Sequence, residues 1–337
     1  MLNFEEFQEY AKNHVKQHMS DEYENATVYI NTVEKNNGLV LHALVVKAED
    51  SMIAPSIYLE GFFKQYEEGM GILEVMENLG QTCEMHQTAP DYSKDIAAQF
   101  KDFNGIKDKI VMSVVNVAKN QEMLAHIPHT MKEDLALIYK VCLGNDADGM
   151  ATITIRDEHM SLWEVDTATL HELALENSNR ILPATTRGIN EIMMEMLGRD
   201  MPPEVAEAIM ADMPAENQMY VISNSANING AAALFYSNAL EQLSEKIGSD
   251  LYILPSSVHE AIAVSTEMGS PEMLANMVCE VNETQVSQEE QLSDHVYRYD
   301  AKSKEITLAD TTVEELGVTS PKANQDMGGV RKGSARS

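Results

Sequence analysis

Two stretches rich in β-forming residues, Ala26 to Val33 and Leu39 to Ala48, are separated only by EKNNG. Asparagine and glycine tolerate the positive φ of a tight hairpin turn, so Asn37-Gly38 predicts that these stretches pair as antiparallel strands. An antiparallel pair this close to the start sets the question for the rest of the chain: how often does the pattern recur, and what covers it?

Helices flank the hairpin. Asn3 followed by Glu6 forms a capping box, and Phe4, Phe7, Ala11 and Val15 recur every three or four residues, predicting an amphipathic helix from Asn3 to about Met19. IYLEGFFKQYEE, Ile57 to Glu68, and the run Ile72 to Leu79 predict two short helices punctuated by Gly69 and Gly71. KIVMSVV, Lys109 to Val115, predicts a strand. LALIYKVCL, Leu135 to Leu143, and MATITIR, Met150 to Arg156, flank GNDADG and predict a second hairpin. GNDADG is not a calcium loop: aligning Gly149 with the invariant glycine places Gly144 at the first ligand position and Ile155 at the twelfth, where a carboxylate is required.

Thr167 to Arg180 predicts a helix with Leu170, Leu173 and Ala174 on one face, stopped by Leu182-Pro183. Ile189 to Leu197 and Pro203 to Met213 predict a methionine-rich helical pair carrying Met193, Met194, Met196, Met201, Met210 and Met213. Ile189, Ile192, Met193, Met196 and Leu197 follow helical core spacing, so ordinary packing is expected there. Met219 to Ser223 and Ala231 to Tyr236 predict a strand pair linked by NSANING. Ser237 predicts a cap for a helix to Ile247 closed by Gly248, with a strand at Leu251 to Leu254 after it. A helix from Pro271 to about Glu283 and a last hairpin, Val296 to Tyr299 with Glu305 to Leu308, complete the ordered part. The polar, aperiodic tail from Thr319 predicts disorder. Strands and helices do not alternate regularly, so the expected class is α+β, with mainly antiparallel strand pairs, flanking helices and two lobes. The expected division is 1–165 and 166–318, the second lobe holding the methionine-rich pair at 189–213, with a tail at 319–337.

No apolar run approaches the ~20 residues of a membrane-spanning helix; the longest are of the kind LVLHALVV and AAALFY. MLNFEEFQEY has neither the basic nor the apolar region of a secretory signal, so a cytoplasmic protein without membrane association is expected. Cys83, Cys142 and Cys279 lie far apart with no CxxC pair, which predicts small buried hydrophobes and no disulfide framework or zinc site. Fifty-four acidic against 24 basic residues give a net charge of −30. Direct binding to nucleic-acid phosphates is therefore not expected, because it needs a positive surface. The charge suits a solvated exterior, and one alternative is an acidic mimic of nucleic acid.

IAPSIYLEGFFKQYEEG, MYVISNSANINGAAALFY, IGSDLYILPSSVHEAI and VNETQVSQEEQLSDHVY resemble the signature blocks of an uncharacterised domain-of-unknown-function family of gut Firmicutes found near mobile genetic elements. The resemblance runs from Leu2 to about Ala309. From LHELALENSNRILP onward, the second half is more distantly similar to the uncharacterised YtpQ-like family. These likenesses imply an α+β fold in a bacterial cytoplasm and carry no catalytic residue, cofactor or ligand.

The densest chemistry is LPSSVHE. Ser256 or Ser257 with His259 supplies the residue types of a serine hydrolase, which needs a base within hydrogen-bond reach of the hydroxyl. The segment lacks the flanking glycines of a nucleophile elbow, and Ser257 with Glu260 matches a helix-capping pattern, so a structural turn or cap is the leading expectation. Glu260, Asp294 and His295 are the remaining binding candidates, although Asp294 and His295, if adjacent on a strand, point to opposite faces. His14 and His18 have one-face helical spacing but lack further ligands, and His126 and His129 bracket Ile127-Pro128 as loop residues. GMG at Gly69 to Gly71 is no phosphate loop. The sequence thus predicts no metal, no cofactor and a non-enzymatic binding or accessory protein with a protein partner. The serine hydrolase is the alternative.

Overall fold

The computed structural model spans the 337-residue chain and describes residues 1–49, 54–87, 100–146, 149–200, 219–255 and 257–311. Three sheets follow one another along the sequence, every strand pair antiparallel, and helices pack on them, making the fold α+β. The first sheet runs β1 (Thr27–Glu34), β2 (Val40–Lys47), β3 (Ser56–Tyr58). The second is built on β6 (Leu135–Asp146), with β4 (Ile110–Asn116) along one edge and β5 (His129–Lys132) and β7 (Gly149–Thr154) sharing the other. The third comprises β8 (Ala184–Gly188), β9 (Tyr220–Asn224), β10 (Leu251–Leu254), β11 (Ala261–Ser265), β12 (Tyr297–Tyr299) and β13 (Ile306–Leu308), ordered β13-β12-β10-β11-β9-β8.

The first hairpin forms as its turn residues demand, with Asn37 at φ 60° and Gly38 at φ 66°. The first helix, Phe4–His14, opens on the Asn3–Glu6 capping box and continues as a 3₁₀ turn, Val15–His18. Phe7, Ala11 and Val15 bury themselves against Leu44 and Val46 of β2 and Val75, Met76 and Leu79 of the helix Ile72–Gln87. The hairpins β6-β7 and β12-β13 and the helices Thr167–Ile181, Ala239–Ile247 and Pro271–Thr284 also stand where periodicity and capping place them.

Four local expectations are corrected. Ile57 and Tyr58 belong to β3, paired with Leu44 and Ala43, and the helix starts only at Glu60. Ala231 to Tyr236 is a 3₁₀ turn followed by a helical turn, because Ala231, Ala232 and Ala233 are fully buried where a small-residue turn fits under β4; a short apolar run does not distinguish this from a strand. His129 is no loop residue, since it opens β5 opposite Ile138. On the helix Ile189–Asp200, Met193 is 36% and Met196 63% exposed, so these two methionines do not pack as core, while Ile189 and Ile192 are half-buried. The second half of the methionine-rich pair, Pro203 to Met213, lies outside the described residues, as do Ser256 and the tail from Thr319.

The main core lies between one face of the second sheet, the third sheet and the helix Thr167–Ile181. Ile110, Met112 and Val114 of β4 and Leu135, Leu137, Tyr139 and Val141 of β6 point into it and meet Leu170 and Ala174. The tip of the first hairpin docks on this body. Asn37 donates its Nδ2 to the carbonyls of Gln288 and Gln291, both at 2.7 Å, and Asn36 donates its own to the carbonyl of Glu289 at 2.8 Å.

Candidate functional site

The opposite face of the second sheet carries the site. Residues paired across an antiparallel ladder point to the same side, so Val111, Ser113 and Val115 share a face with Ala136, Ile138, Lys140 and Cys142. One end of that face is apolar, with Val115, Ala136 and Ile138 against Leu124 and Ile127. The other end is apolar too, with Val111 and Cys142 against Leu182. Ser113 and Lys140 sit between, two polar side chains in the middle of a hydrophobic face.

They line a cavity of about 360 Å³ walled by four further segments. The hairpin tip brings Lys35 and Asn36, the turn after β9 brings Asn229, and two loops bring Val258, His259, Glu289 and Glu290. Those loops are stitched together: Val258 N–H donates to the Glu290 carbonyl at 2.8 Å, Ser293 N–H to the Pro255 carbonyl at 3.0 Å, and Ser257 forms a bridge with Gln291. Ala231 N–H donates to the Val258 carbonyl, and Ser223 Oγ to the His259 carbonyl at 2.8 Å. Gly230 is required at this crossing, since a Cβ there would fall 2.8 Å from Asn224 N and closer still to Ser223 Oγ and the His259 carbonyl.

Several groups in the cavity have unmet demands. Ser113 is 2% exposed and its hydroxyl has no hydrogen-bond partner among the described residues. Asn36 Oδ1 is likewise buried and unpartnered. Lys140 Nζ makes no hydrogen bond or ion pair among the described residues; desolvation first, and then the neighbouring Lys35, push its pKa below the usual lysine range. Lys35 itself lies over the Tyr58 ring, 4.5 Å from its centroid. Unpaired buried polar groups are rare in folded proteins, and two of them, Ser113 Oγ and Asn36 Oδ1, belong to residues that line one cavity.

The serine and histidine of LPSSVHE meet this cavity in a defined way. Ser257 caps no helix, because β11 follows; its Oγ accepts the His259 N–H at 3.0 Å, a local turn. His259 Nδ1 accepts the Asn229 N–H at 3.2 Å, which fixes the ring proton on Nε2, 3.6 Å from Glu290 Oε1. Among the described residues no hydrogen bond joins the His259 ring to Ser257. Glu260 is exposed and does not line the cavity.

Asp294 and His295 belong to a different network. Asp294 accepts Asn282 Nδ2 at 2.6 Å and pairs with Lys119 at 3.5 Å. His295 Nδ1 meets Asp310 Oδ2 at 3.0 Å, and that hydrogen bond is the main reason its pKa is raised, against an opposing desolvation. Behind them Asp134 is buried, accepting Tyr297 Oη, Ser293 Oγ at 3.0 Å and Asn116 Nδ2 at 3.3 Å, with its pKa raised by desolvation. This network joins the turn between β5 and β6 to β12. His14 stacks on Tyr10 with ring centroids 4.0 Å apart, and no group of metal-ligating side chains occurs among the described residues. Cys83 and Cys142 are buried and Cys279 is half-buried, each reduced; burial pushes the Cys83 thiol up to about 12.

Three polar residues that line the cavity, Ser113, Lys140 and Asn36, were not among the candidates read from the sequence. Their signal was present, a lysine inside LALIYKVCL and a serine inside KIVMSVV, each interrupting a run too apolar to be solvated on either face.

No helix among the described residues is long and apolar enough to cross a membrane. No curated protein and no solved structure matches the chain. A family model does, over residues 4–301, and by that match the chain belongs to a family of unknown function, DUF5688.

Proposed function

We propose that this chain is a binding protein that acts without turning over a substrate, with the cavity floored by Ser113 and Lys140 as its recognition site. One observation carries this reading. Ser257 and His259, which resemble catalytic machinery, are committed to holding the cavity walls, while the cavity groups with unmet hydrogen-bonding demand are a half-buried lysine, a serine hydroxyl and an amide oxygen. A histidine whose Nδ1 accepts a backbone N–H and whose Nε2 carries the proton has no lone pair for Ser257, so it does not serve as that serine's base in this arrangement.

The net charge of −30 fits an accessory protein of the bacterial cytoplasm whose exterior meets a protein partner with a basic surface. Two measurements test the proposal. Full-length protein incubated with a serine-reactive fluorophosphonate should remain unlabelled; labelling that disappears in Ser256→Ala or Ser257→Ala establishes the hydrolase instead. Immobilised protein should retain a specific partner from bacterial lysate at low salt and release it at high salt, as charge-steered contacts do. Absence of any retained protein at low salt argues against the accessory role.

A further inference from the structure

The cavity's chemistry specifies more than binding in general. Its floor presents two donors, Lys140 Nζ and Ser113 Oγ, set diagonally on adjacent strands, since Ser113 lies opposite Ile138 and Lys140 is two residues further along β6. Neither has a partner among the described residues, and the apolar surroundings at both ends of the sheet face make an anionic oxygen the group that satisfies them. Its opposite wall presents acceptors instead: the buried, orphaned Asn36 Oδ1 and the carboxylate of Glu290, which also accepts Ser287 Oγ and faces His259 Nε2. A simple anion would leave Asn36 Oδ1 unsatisfied and face Glu290 across a small space. A simple cation would meet Lys140 and Lys35. A ligand that answers both ends carries an anionic oxygen group and a protonated amine.

Size and charge narrow the class. About 360 Å³ lies at the low end of small-molecule sites, which favours a ligand of few heavy atoms over a nucleotide. Lys140 is the one cavity lysine left without an aromatic or acidic partner among the described residues, so it balances one negative charge, matching a carboxylate better than a doubly charged phosphate. We infer that the cavity is a binding site for a free amino acid or a similarly small amino carboxylate, its carboxylate held by Lys140 and Ser113 and its ammonium by Glu290 and Asn36.

This inference rests on the binding reading above, and its test separates the two. Full-length protein is titrated calorimetrically with the individual proteinogenic amino acids, with acetate, methylammonium and inorganic phosphate as part-ligands, and thermal unfolding is followed in parallel. At least one amino acid should bind, with Lys140→Met weakening it about tenfold or more and Ser113→Ala by about threefold to tenfold, the range for losing one charge-assisted or one neutral hydrogen bond. Lys140→Arg, which keeps the charge, should retain more affinity than Lys140→Met, and acetate and methylammonium alone should bind at least about tenfold more weakly. Binding of none of the amino acids, tighter binding of inorganic phosphate, or affinity unchanged in both Lys140→Met and Ser113→Ala overturns the assignment. Consumption of the bound amino acid, followed in the free ligand by NMR, would leave the site standing and overturn the non-catalytic reading. A captured protein partner without amino-acid binding would do the reverse.

Discussion

Asn37 and Asn120, 83 positions apart, hold each other by two hydrogen bonds of 2.9 Å: the Asn37 N–H donates to Asn120 Oδ1, and Asn120 Nδ2 donates to Asn37 Oδ1. Asn120 Nδ2 also donates to the Asn116 carbonyl at the end of β4, so the tip of the first hairpin is fixed to the strand that carries Ser113. Lys35 and Asn36 reach the cavity from the hairpin side, so this joint helps to position one of its walls.

Asn120→Ala should cost about 1–3 kcal/mol in urea unfolding, since it leaves the buried Asn37 N–H without an acceptor. Asn37→Ala removes a different set of bonds and also forces alanine into φ 60°, so it should cost more than Asn37→Gly, which keeps the bond loss without the strain. Equal losses in these two variants would show that backbone conformation contributes nothing at the turn.

Lys140→Met should raise stability at neutral pH by about 1 kcal/mol or more, because it removes a desolvated ammonium with no counter-charge and fills the same space with an apolar chain. The sign of the pH dependence follows from the lowered pKa. Above its folded value the lysine is neutral in the native state while the unfolded chain still binds the proton, so wild-type stability rises with pH towards the ordinary lysine range. The advantage of Lys140→Met should therefore shrink as the pH is raised. A constant difference across the alkaline range would mean that Lys140 is well solvated.

The framework of this fold was legible where local chemistry decides it. Asn37-Gly38, the Asn3–Glu6 box and Pro271 at the head of its helix each act within a few residues, and each stands where the local pattern places it. What was not legible depends on partners distant in sequence. β8 is five residues of ATTRG that become a strand by pairing with β9, across a stretch that includes the methionine-rich segment. Ala231 to Ala233 form a turn because β4 lies above them. The site follows the same rule: His259 was visible from its neighbours, but its Nδ1 is satisfied by Asn229 and its Nε2 faces Glu290, 30 and 31 residues away. Lys140 could have been suspected from its apolar run, yet only the ladder that sets Ser113 diagonally beside it makes the two one site.

His295 gives a second titration with the opposite sense to that of Lys140. Its folded pKa is raised chiefly by the hydrogen bond to Asp310, so the native state holds the proton after the unfolded chain has lost it. The stabilisation is fully present below the ordinary histidine value and fades as the pH rises through the folded one. Unfolding free energy measured from mildly acidic to mildly alkaline pH should fall with that profile. Asp310→Asn should flatten it and lower stability most at the acidic end, with the His295→Gln variant showing no further pH dependence from this pair.

Gly230 ties the cavity wall to the third sheet, and substituting it tests how closely the two are packed. A methyl group there meets the Asn224 backbone nitrogen, the Ser223 hydroxyl and the His259 carbonyl together, and two of these three belong to the main chain and cannot rotate away. Gly230→Ala should cost about 1–3 kcal/mol or more, the range for overpacking a dense interior. Because the displaced atoms include the His259 carbonyl, the Ser223–His259 hydrogen bond should break in the same variant, and the Asn229 N–H bond that orients the imidazole should lengthen with it. Ser223→Ala relieves part of the clash at the cost of one hydrogen bond. The double variant Gly230→Ala with Ser223→Ala should then be more stable than the sum of the two single losses predicts, by about 0.5 kcal/mol or more. Strict additivity would show that the backbone contacts alone set the penalty, and a stability equal to wild type in Gly230→Ala would show that the wall and the sheet are not in contact.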